Sequence, residues 1–148
     1  NYAKNLKKPL FIRIPKENLP ENVPEDLPKV EYIPHKLTVI QQKQNNKLLI
    51  TSGRMIEIAL KMEKFQEYTI IDPFFFKPLD LKILKHIKEA EIIEIWDENS
   101  TGGMASIIIE ECVKNHIRTH NIIIKTIPDT FISHGKNSIL LEQECFFK

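Results

Sequence analysis

The stretch KLLITSGRMIEIALKMEKFQEYTIID, residues 47–72, places an amphipathic segment between two apolar runs. LLITSG is typical of a buried strand that ends in a turn, and YTIID is typical of a second strand. Between them, apolar side chains recur at helical spacing, at Met55, Ile58, Ala59, Met62 and Phe65. Strands joined by a helix in this way are the unit from which parallel sheets are built.

The same alternation continues toward the C-terminus. The pattern predicts a second helix over 79–90, opened by Asp80, a third strand at EIIEIW and a third helix over 103–116. NIIIKTI follows as a fourth strand, and residues 138–145 as a last short helix, while residues 10–14 could pair as a short strand. The sequence therefore predicts a three-layer α/β fold, in which a mostly parallel sheet of about five strands carries helices on both faces.

Prolines divide the chain into unequal parts. Six of the nine fall in the first 34 residues, and this composition resists both a helix and a central strand. We interpret residues 1–16 as the end of a preceding domain, 17–46 as a Pro-rich linker packed over the outside, and 47–148 as the main domain. Because the chain begins at Asn1 rather than Met, shortly before the strand-like PLFIRI, we expect it to be a piece of a longer protein.

Bulk composition narrows the functional classes. The 148 residues are 42% apolar, enough for one domain with its own core but not for two. With 21 Lys and Arg against 20 acidic residues, the chain has no field that would attract nucleic acid or an anionic membrane. Cys112 and Cys145 lack a CxxC partner, which disfavours a zinc site and a disulfide framework and favours a reducing compartment. Without a long apolar run or a signal-like N-terminus, the sequence predicts a soluble, intracellular protein.

The segment WDENSTGGMASIIIEECV, residues 96–113, has two interpretations. A Gly-rich loop before a helix can hold phosphate, but Asp97 and Glu98 would repel one, and the spacing matches neither Walker A nor GxGxxG. We therefore favour a join between a strand and a helix. In that role Gly102 and Gly103 allow an unusual turn or close backbone packing, and the polar DENST residues cap the first helical turn.

Acidic residues follow three of the four predicted parallel strands, at the edge where such sheets bind ligands. Asp72, Asp97 and Glu98 could supply oxygen ligands to a divalent metal. Acids at strand-to-helix joins more often cap helices, and we favour that interpretation.

Histidines and aromatic residues leave further alternatives. His134, near Asp129, could act as an acid or base, but without a nucleophile in view we favour a hydrogen-bonding role in a loop. Trp96 and the run 74–76 indicate either a contact surface or core packing. Three other histidines have no spacing that suits a metal, namely His86, His116 and His120.

Four pieces of the chain, taken in order, resemble the C-terminal domain of the transketolase-like thiamine diphosphate enzymes: LLITSGRMIEIALKM, YTIIDPFFFKPLD, IWDENSTGGMAS and IPDTFISHGKNSILLEQ. FKPLD is shared widely in that family, including the beta chains of 2-oxo acid dehydrogenases. PDTFISHG, followed by an acidic, leucine-bearing stretch, is most similar to the 1-deoxy-D-xylulose-5-phosphate synthases. The resemblance covers residues 9–144, with only a similar linker between 17 and 46.

The resemblance implies what the parent enzyme does. Such synthases condense pyruvate with glyceraldehyde 3-phosphate, losing carbon dioxide, as homodimers that use thiamine diphosphate and magnesium, in the cytoplasm or a plastid-type organelle. Their GDG motif for metal and diphosphate lies in an N-terminal domain. The glutamate that activates thiamine lies in a middle, pyrimidine-binding domain, whose end would be residues 1–16. Because this sequence has no GDG and no glutamate in that setting, the resemblance implies a structural, dimer-completing domain that binds no cofactor and is inactive alone.

One substrate contact is implied by the same resemblance. KKPLFIRIPKE resembles the closing strand of the middle domain, where the family reads R-Y-P-R-G and basic residues hold the phosphate of glyceraldehyde 3-phosphate. Arg13 falls on the first arginine and Lys16 on the second, while Ile14 replaces the tyrosine. Because Lys16 stands where the family has an arginine, a point charge replaces a bidentate guanidinium, and the geometric selectivity for phosphate is weaker. The alternative, that Arg13 and Lys16 are ordinary solvated charges, stays open.

Two other assignments also stay open. One is the corresponding domain of a transketolase or of a 2-oxo acid dehydrogenase beta chain, which would act partly as a docking module. The other is a stand-alone binding module on a doubly wound scaffold, because a fold alone does not dictate function.

Overall fold

The computed structural model of the chain describes residues 35–99 and 101–132, together with 9, 33, 134 and 135. All of these except Pro9 belong to one unit, Glu31–Lys148. The strand predicted at 10–14, the helix predicted at 138–145 and most of the predicted linker lie outside the described residues.

Strands and helices alternate along the described chain as the periodicity predicts. The strands are β1 Thr38–Gln41, β2 Lys47–Thr51, β3 Thr69–Asp72, β4 Ile92–Asp97 and β5 Ile122–Thr126. The α-helices are α1 Arg54–Lys61, α2 Ile83–Glu89 and α3 Met104–Lys114, and a 3₁₀-helix spans Glu63–Glu67 between α1 and β3. Within the described ranges, every helix is too short or too polar to cross a membrane.

The five strands form one sheet in the order β1-β3-β2-β4-β5. The pairs β2–β3, β2–β4 and β4–β5 are parallel, and β1 pairs antiparallel with β3. The predicted mostly parallel α/β sheet is thus confirmed. The sequence pattern did not predict β1, which lies inside the segment 17–46, because the four residues TVIQ are too few to show a period.

The sheet separates two apolar clusters, as expected for three layers. On one face, α2 and α3 pack on the strands around Leu48, Ile50 and Ile95. On the other face, α1 and the 3₁₀-helix pack around Leu49 and Trp96. The adjacent residues Leu48 and Leu49 belong to opposite clusters, because successive side chains of a strand point to opposite faces.

Side chains from the main fold hold β1 at the edge of the sheet. The Asp80 carboxylate, at the start of the α2 region, accepts hydrogen bonds from the backbone N–H groups of Lys82 and, 43 residues upstream, Leu37. The Gln41 amide donates to the carbonyl oxygens of Phe65 and Tyr68, at 2.9 and 2.7 Å. These long-range contacts, rather than a local pattern, explain why TVIQ forms a strand.

The turn before α3 confirms the join interpretation of the double glycine. Gly102 adopts a positive φ of 98°, which a residue without a side chain adopts at no steric cost. A Cβ on Gly103 would lie 2.4 Å from Oδ2 of Asp97. The close approach lets Asp97 Oδ2 accept a hydrogen bond from the backbone N–H of Ala105 at 3.0 Å. The carboxylate therefore satisfies an otherwise unpaired N–H in the first turn of α3.

We expect Gly103→Ala to lower the free energy of unfolding by about 1–3 kcal/mol, because the new methyl group must displace the Asp97 carboxylate or the turn. Urea denaturation of the 148-residue chain measures the change. In an Asp97→Ala background, where the clashing oxygen is gone, Gly103→Ala should cost clearly less. Equal costs in the two backgrounds would contradict this account.

Candidate functional site

The carboxyl edge of the sheet at β2 is the place where this fold would bind a ligand. The chain leaves β2 toward β3 on one side, and after β3 it crosses to β4 on the other side of β2. In open α/β sheets, a crevice for ligands opens where connections diverge in this way. The residues at this point are Thr51, Arg54 and Glu98.

An ion pair within the chain spans this crevice. The Arg54 guanidinium donates from Nε to Oε2 of Glu98 at 2.8 Å, and from Nη2 to Oε1 of the same carboxylate. Both side chains are partly buried, with exposed fractions of 18% and 30%. Next to them, the Thr51 hydroxyl donates to the carbonyl oxygen of Trp96 at 2.9 Å. Two-point pairing of this kind fixes the guanidinium plane and ties α1 to the end of β4.

The Asp97 carboxylate occupies the place where a phosphate would bind. Besides its contact with α3, it accepts a hydrogen bond from the Asn99 amide through Oδ1 at 2.8 Å, and it is buried. Helix N-termini favour anions because their N–H groups are unpaired and the dipole is positive there. Here the anion is the chain's own side chain, so the loop does not fit a nucleotide phosphate.

The predicted acids do not all cap helices. Only Asp97 does so; Glu98 pairs with Arg54, and the buried Asp72 accepts a hydrogen bond from the backbone N–H of Phe74 at 2.8 Å. Phe74 has a positive φ of 56° in this turn. Among the described residues, no cluster of three His, Cys, Asp or Glu side chains could hold a metal ion. Magnesium with a diphosphate therefore does not fit the carboxyl edge, because Asp72, Asp97 and Glu98 are already directed to internal donors.

A third buried acid, Glu94, lies in the middle of β4. Its Oε1 accepts a hydrogen bond from the Tyr68 hydroxyl at 3.1 Å and lies 2.6 Å from Lys64 Nζ. Its Oε2 accepts a hydrogen bond from Trp96 Nε1 at 3.1 Å. Phe65 packs edge-on against both the Trp96 and the Tyr68 rings. In the sequence, Glu94 was visible as an acid within the apolar run EIIEIW, but the partners of Glu94 could not be predicted from the sequence.

The Glu94 network changes the ionisation of Tyr68. Burial, followed by the charge of Glu94 and its hydrogen bond, raises the pKa of Tyr68 from 10.0 to about 12. Burial likewise raises the pKa of the Cys112 thiol, so this buried cysteine is a weak nucleophile. Among the described residues, no buried side-chain polar atom lacks a hydrogen-bond partner. This part of the chain thus has the chemistry of a packed scaffold.

The residues that the sequence analysis singled out differ in where they lie and in how far they are buried. Arg13 and Lys16 lie outside the described residues. His134 and Asp129 are exposed, and within the described ranges the predicted hydrogen-bonding role of His134 has no partner. Trp96 is a core residue, whereas Phe74 is 44% exposed. Sequence reasoning did not identify Arg54, since an isolated arginine after a strand carries no signal for a partner 44 residues away.

Comparison with known proteins gives consistent results. Residues 36–146 match the sequence profile of the family described as transketolase, C-terminal domain. The chain is 39% identical over 99 residues to a 1-deoxy-D-xylulose-5-phosphate synthase of Clostridium kluyveri, covering 62% of this chain and 16% of that protein. It is 29% identical over 145 residues to the enzyme of the same name from Chlamydia trachomatis serovar L2, covering 91% of this chain and 22% of that protein. The chain thus spans about a fifth of the length of these relatives.

A solved structure has the same fold. It is described as a split gene transketolase, an inactive β4 tetramer, and it aligns with a TM-score of 0.61 at 19% sequence identity. The alignment covers 79% of this chain and 40% of the other. At this identity the likeness concerns the fold alone.

We expect the stability of the domain to fall as the pH rises from 10 to 12, in part because of Tyr68. The unfolded chain releases the Tyr68 proton near pH 10.0, whereas the folded chain keeps it until about pH 12, so the folded state loses stability in this window. The loss amounts to at most about 3 kcal/mol once the window is crossed.

Urea denaturation of the native chain and of Tyr68→Phe, between about pH 9 and about pH 11, measures this contribution. Lysine ion pairs also weaken at high pH, so the difference between the two chains is the informative quantity. The variant should show the flatter dependence, and identical slopes would contradict the role of Tyr68.

Proposed function

This chain belongs to the transketolase C-terminal domain family, and on that premise we propose that it is the C-terminal domain of a 1-deoxy-D-xylulose-5-phosphate synthase. The observation that carries the proposal is the alignment with a synthase over 91% of the chain. The relatives named above bear the synthase name, which favours this enzyme over a transketolase or a 2-oxo acid dehydrogenase beta chain.

The proposed parent enzyme joins pyruvate to glyceraldehyde 3-phosphate. Carbon dioxide leaves pyruvate, and the remaining two-carbon unit is added to the aldehyde, giving 1-deoxy-D-xylulose 5-phosphate. Thiamine diphosphate with magnesium supplies the carbanion chemistry when bound in the parent enzyme. The proposal assigns both cofactors to the parts of the parent enzyme outside this chain, because the described acids do not fit them.

The contacts at the carboxyl edge support a structural contribution by this domain. Arg54, Asp97 and Glu98 all bind groups of the chain itself. Large apolar side chains lie exposed on β5 and in the following loop, at Ile123, Ile124 and Phe131. Exposed apolar surface of this kind is commonly covered by a neighbouring domain or subunit. We therefore propose that the domain packs against the rest of the parent chain and helps to complete a homodimer.

Arg13 and Lys16 are the proposed substrate contacts. Their position in KKPLFIRIPKE resembles the strand whose basic residues hold the phosphate of glyceraldehyde 3-phosphate. A lysine ammonium binds phosphate as a point charge, and an arginine binds it through two parallel N–H groups. In this proposal Arg13 orients the phosphate and Lys16 adds charge.

We expect the 148-residue chain to bind no thiamine diphosphate, because the family's GDG motif and activating glutamate are not in its sequence. Calorimetric titration with the cofactor and magnesium should show no saturable heat. The full-length parent enzyme serves as the positive control. Binding in the micromolar range by the isolated chain would overturn this part of the proposal.

Replacing Lys16 by Ala in the full-length parent should remove a charge-assisted contact worth about 1.5–3 kcal/mol, roughly ten- to a hundredfold in binding. The loss should raise KM for glyceraldehyde 3-phosphate and leave KM for pyruvate, which has no phosphate, nearly unchanged. Lys16→Arg should be tolerated, because it restores the planar fork.

Two outcomes would contradict the Lys16 assignment. Equal changes in both KM values would indicate a damaged domain interface. If neither KM value changed, Lys16 would be an ordinary solvated charge. An active full-length chain that does not use glyceraldehyde 3-phosphate would overturn the synthase proposal itself.

A further inference from the structure

A pocket of about 470 Å³ opens at the amino edge of the sheet, opposite to the crevice beside β2. Lys88 comes from the last turn of α2 and Glu91 from the segment between α2 and β4, while the segment between α3 and β5 contributes His116, Arg118 and His120. Ile87 and Ile117 form part of the apolar wall. The volume lies in the range of sites that hold small molecules.

The charged groups of this pocket are mostly cationic, and the cations have no partner among the described residues. Many lysines elsewhere in the described chain pair with carboxylates, for example Lys47 with Glu67 and Lys61 with Glu57. By contrast, none of the four basic side chains of the pocket has a hydrogen bond or ion pair to another described residue. Glu91, the one acid among the lining residues, accepts a hydrogen bond from the Asn46 amide at 3.1 Å.

Capping of the helix ends does not explain these cations. Positive side chains are common at helix C-termini because they stabilise the last carbonyl groups. At the end of α3, the Glu111 carbonyl oxygen accepts from both the backbone and the amide of Asn115, and the Cys112 carbonyl accepts from the N–H of Ile117. After α2, the Asn121 amide donates to the carbonyl oxygens of Ala90 and Glu91. These carbonyls are satisfied by other groups, so the basic side chains remain available to a ligand.

We propose that this pocket binds a small, multiply charged anion that carries phosphate. Arg118 would supply a planar pair of donors, Lys88 a point charge, and His116 and His120 imidazole N–H groups, all of which suit phosphate oxygens. The formal charges of Lys88 and Arg118 exceed that of Glu91, so the lining carries a net positive charge before the histidines are counted. The inference is independent of the proposed function, since it uses a different edge of the sheet.

Calorimetric titration of the 148-residue chain with inorganic pyrophosphate tests the site. The variant Lys88→Gln/Arg118→Gln removes two charges from the pocket. The matched control, Lys36→Gln/Lys61→Gln, removes two charges from exposed positions outside it. We expect the pocket variant to lose at least about tenfold in affinity, and the control no more than about twofold. Unfolding curves of both variants establish that each remains folded.

A second titration with inorganic pyrophosphate tests the two histidines. His116→Ala/His120→Ala removes both imidazole donors and should lower the affinity by about threefold or more. If Lys88→Gln/Arg118→Gln and Lys36→Gln/Lys61→Gln lost equal affinity for pyrophosphate, the binding would be a general attraction to a charged surface. That result, a failure of the native chain to show saturable binding, or an unchanged affinity in the histidine variant would overturn the proposal.

Discussion

The buried carboxylate of Asp97, hydrogen-bonded to the first turn of α3, is the contact on which the carboxyl edge of this domain depends. It requires the absence of a side chain at Gly103, where a Cβ would lie 2.4 Å from the carboxylate. The two following residues extend the same junction. Glu98 pairs with Arg54 at the start of α1, and the Asn99 carbonyl accepts the N–H of Ile127 just beyond β5. Three successive residues thus connect a central strand to helices on both faces and to the edge strand.

This junction also explains the distribution of chemistry over the domain. In a doubly wound sheet, the carboxyl edge is where loops commonly leave donors and acids available for a ligand. Here those groups bind one another, and the buried Glu94 is likewise satisfied by Tyr68, Trp96 and Lys64. The cations that converge in one pocket, and that have no partner within the part of the chain the structure describes, lie at the amino edge instead. A domain whose usual ligand crevice is filled by its own side chains is suited to a supporting role in a larger enzyme.

Two different sets of observations support the proposed supporting role. The family profile and the synthase relatives concern the chain as a sequence. The internal pairing of Arg54 and Glu98 and the exposed apolar side chains of β5 concern its surface. Neither set of observations requires the chain to bind thiamine diphosphate. Both are consistent with a domain that contributes packing surface rather than reacting groups.

The sequence by itself determined the alternation of strands and helices, the mostly parallel sheet and the join at Gly102 and Gly103, because these depend on local periodicity and on backbone freedom within a few residues. Only the tertiary structure decided that TVIQ becomes β1, since its contacts come from Asp80, Phe65 and Tyr68. The same holds for the acids. Asp97, Glu98 and Asp72 looked equivalent as residues after strands, yet one caps a helix, one pairs with arginine and one forms a turn. Partners far apart in the chain, such as Glu98 and Arg54 at a separation of 44 residues, leave no periodic signal, because their meeting depends on how the chain crosses the sheet rather than on the residues beside them.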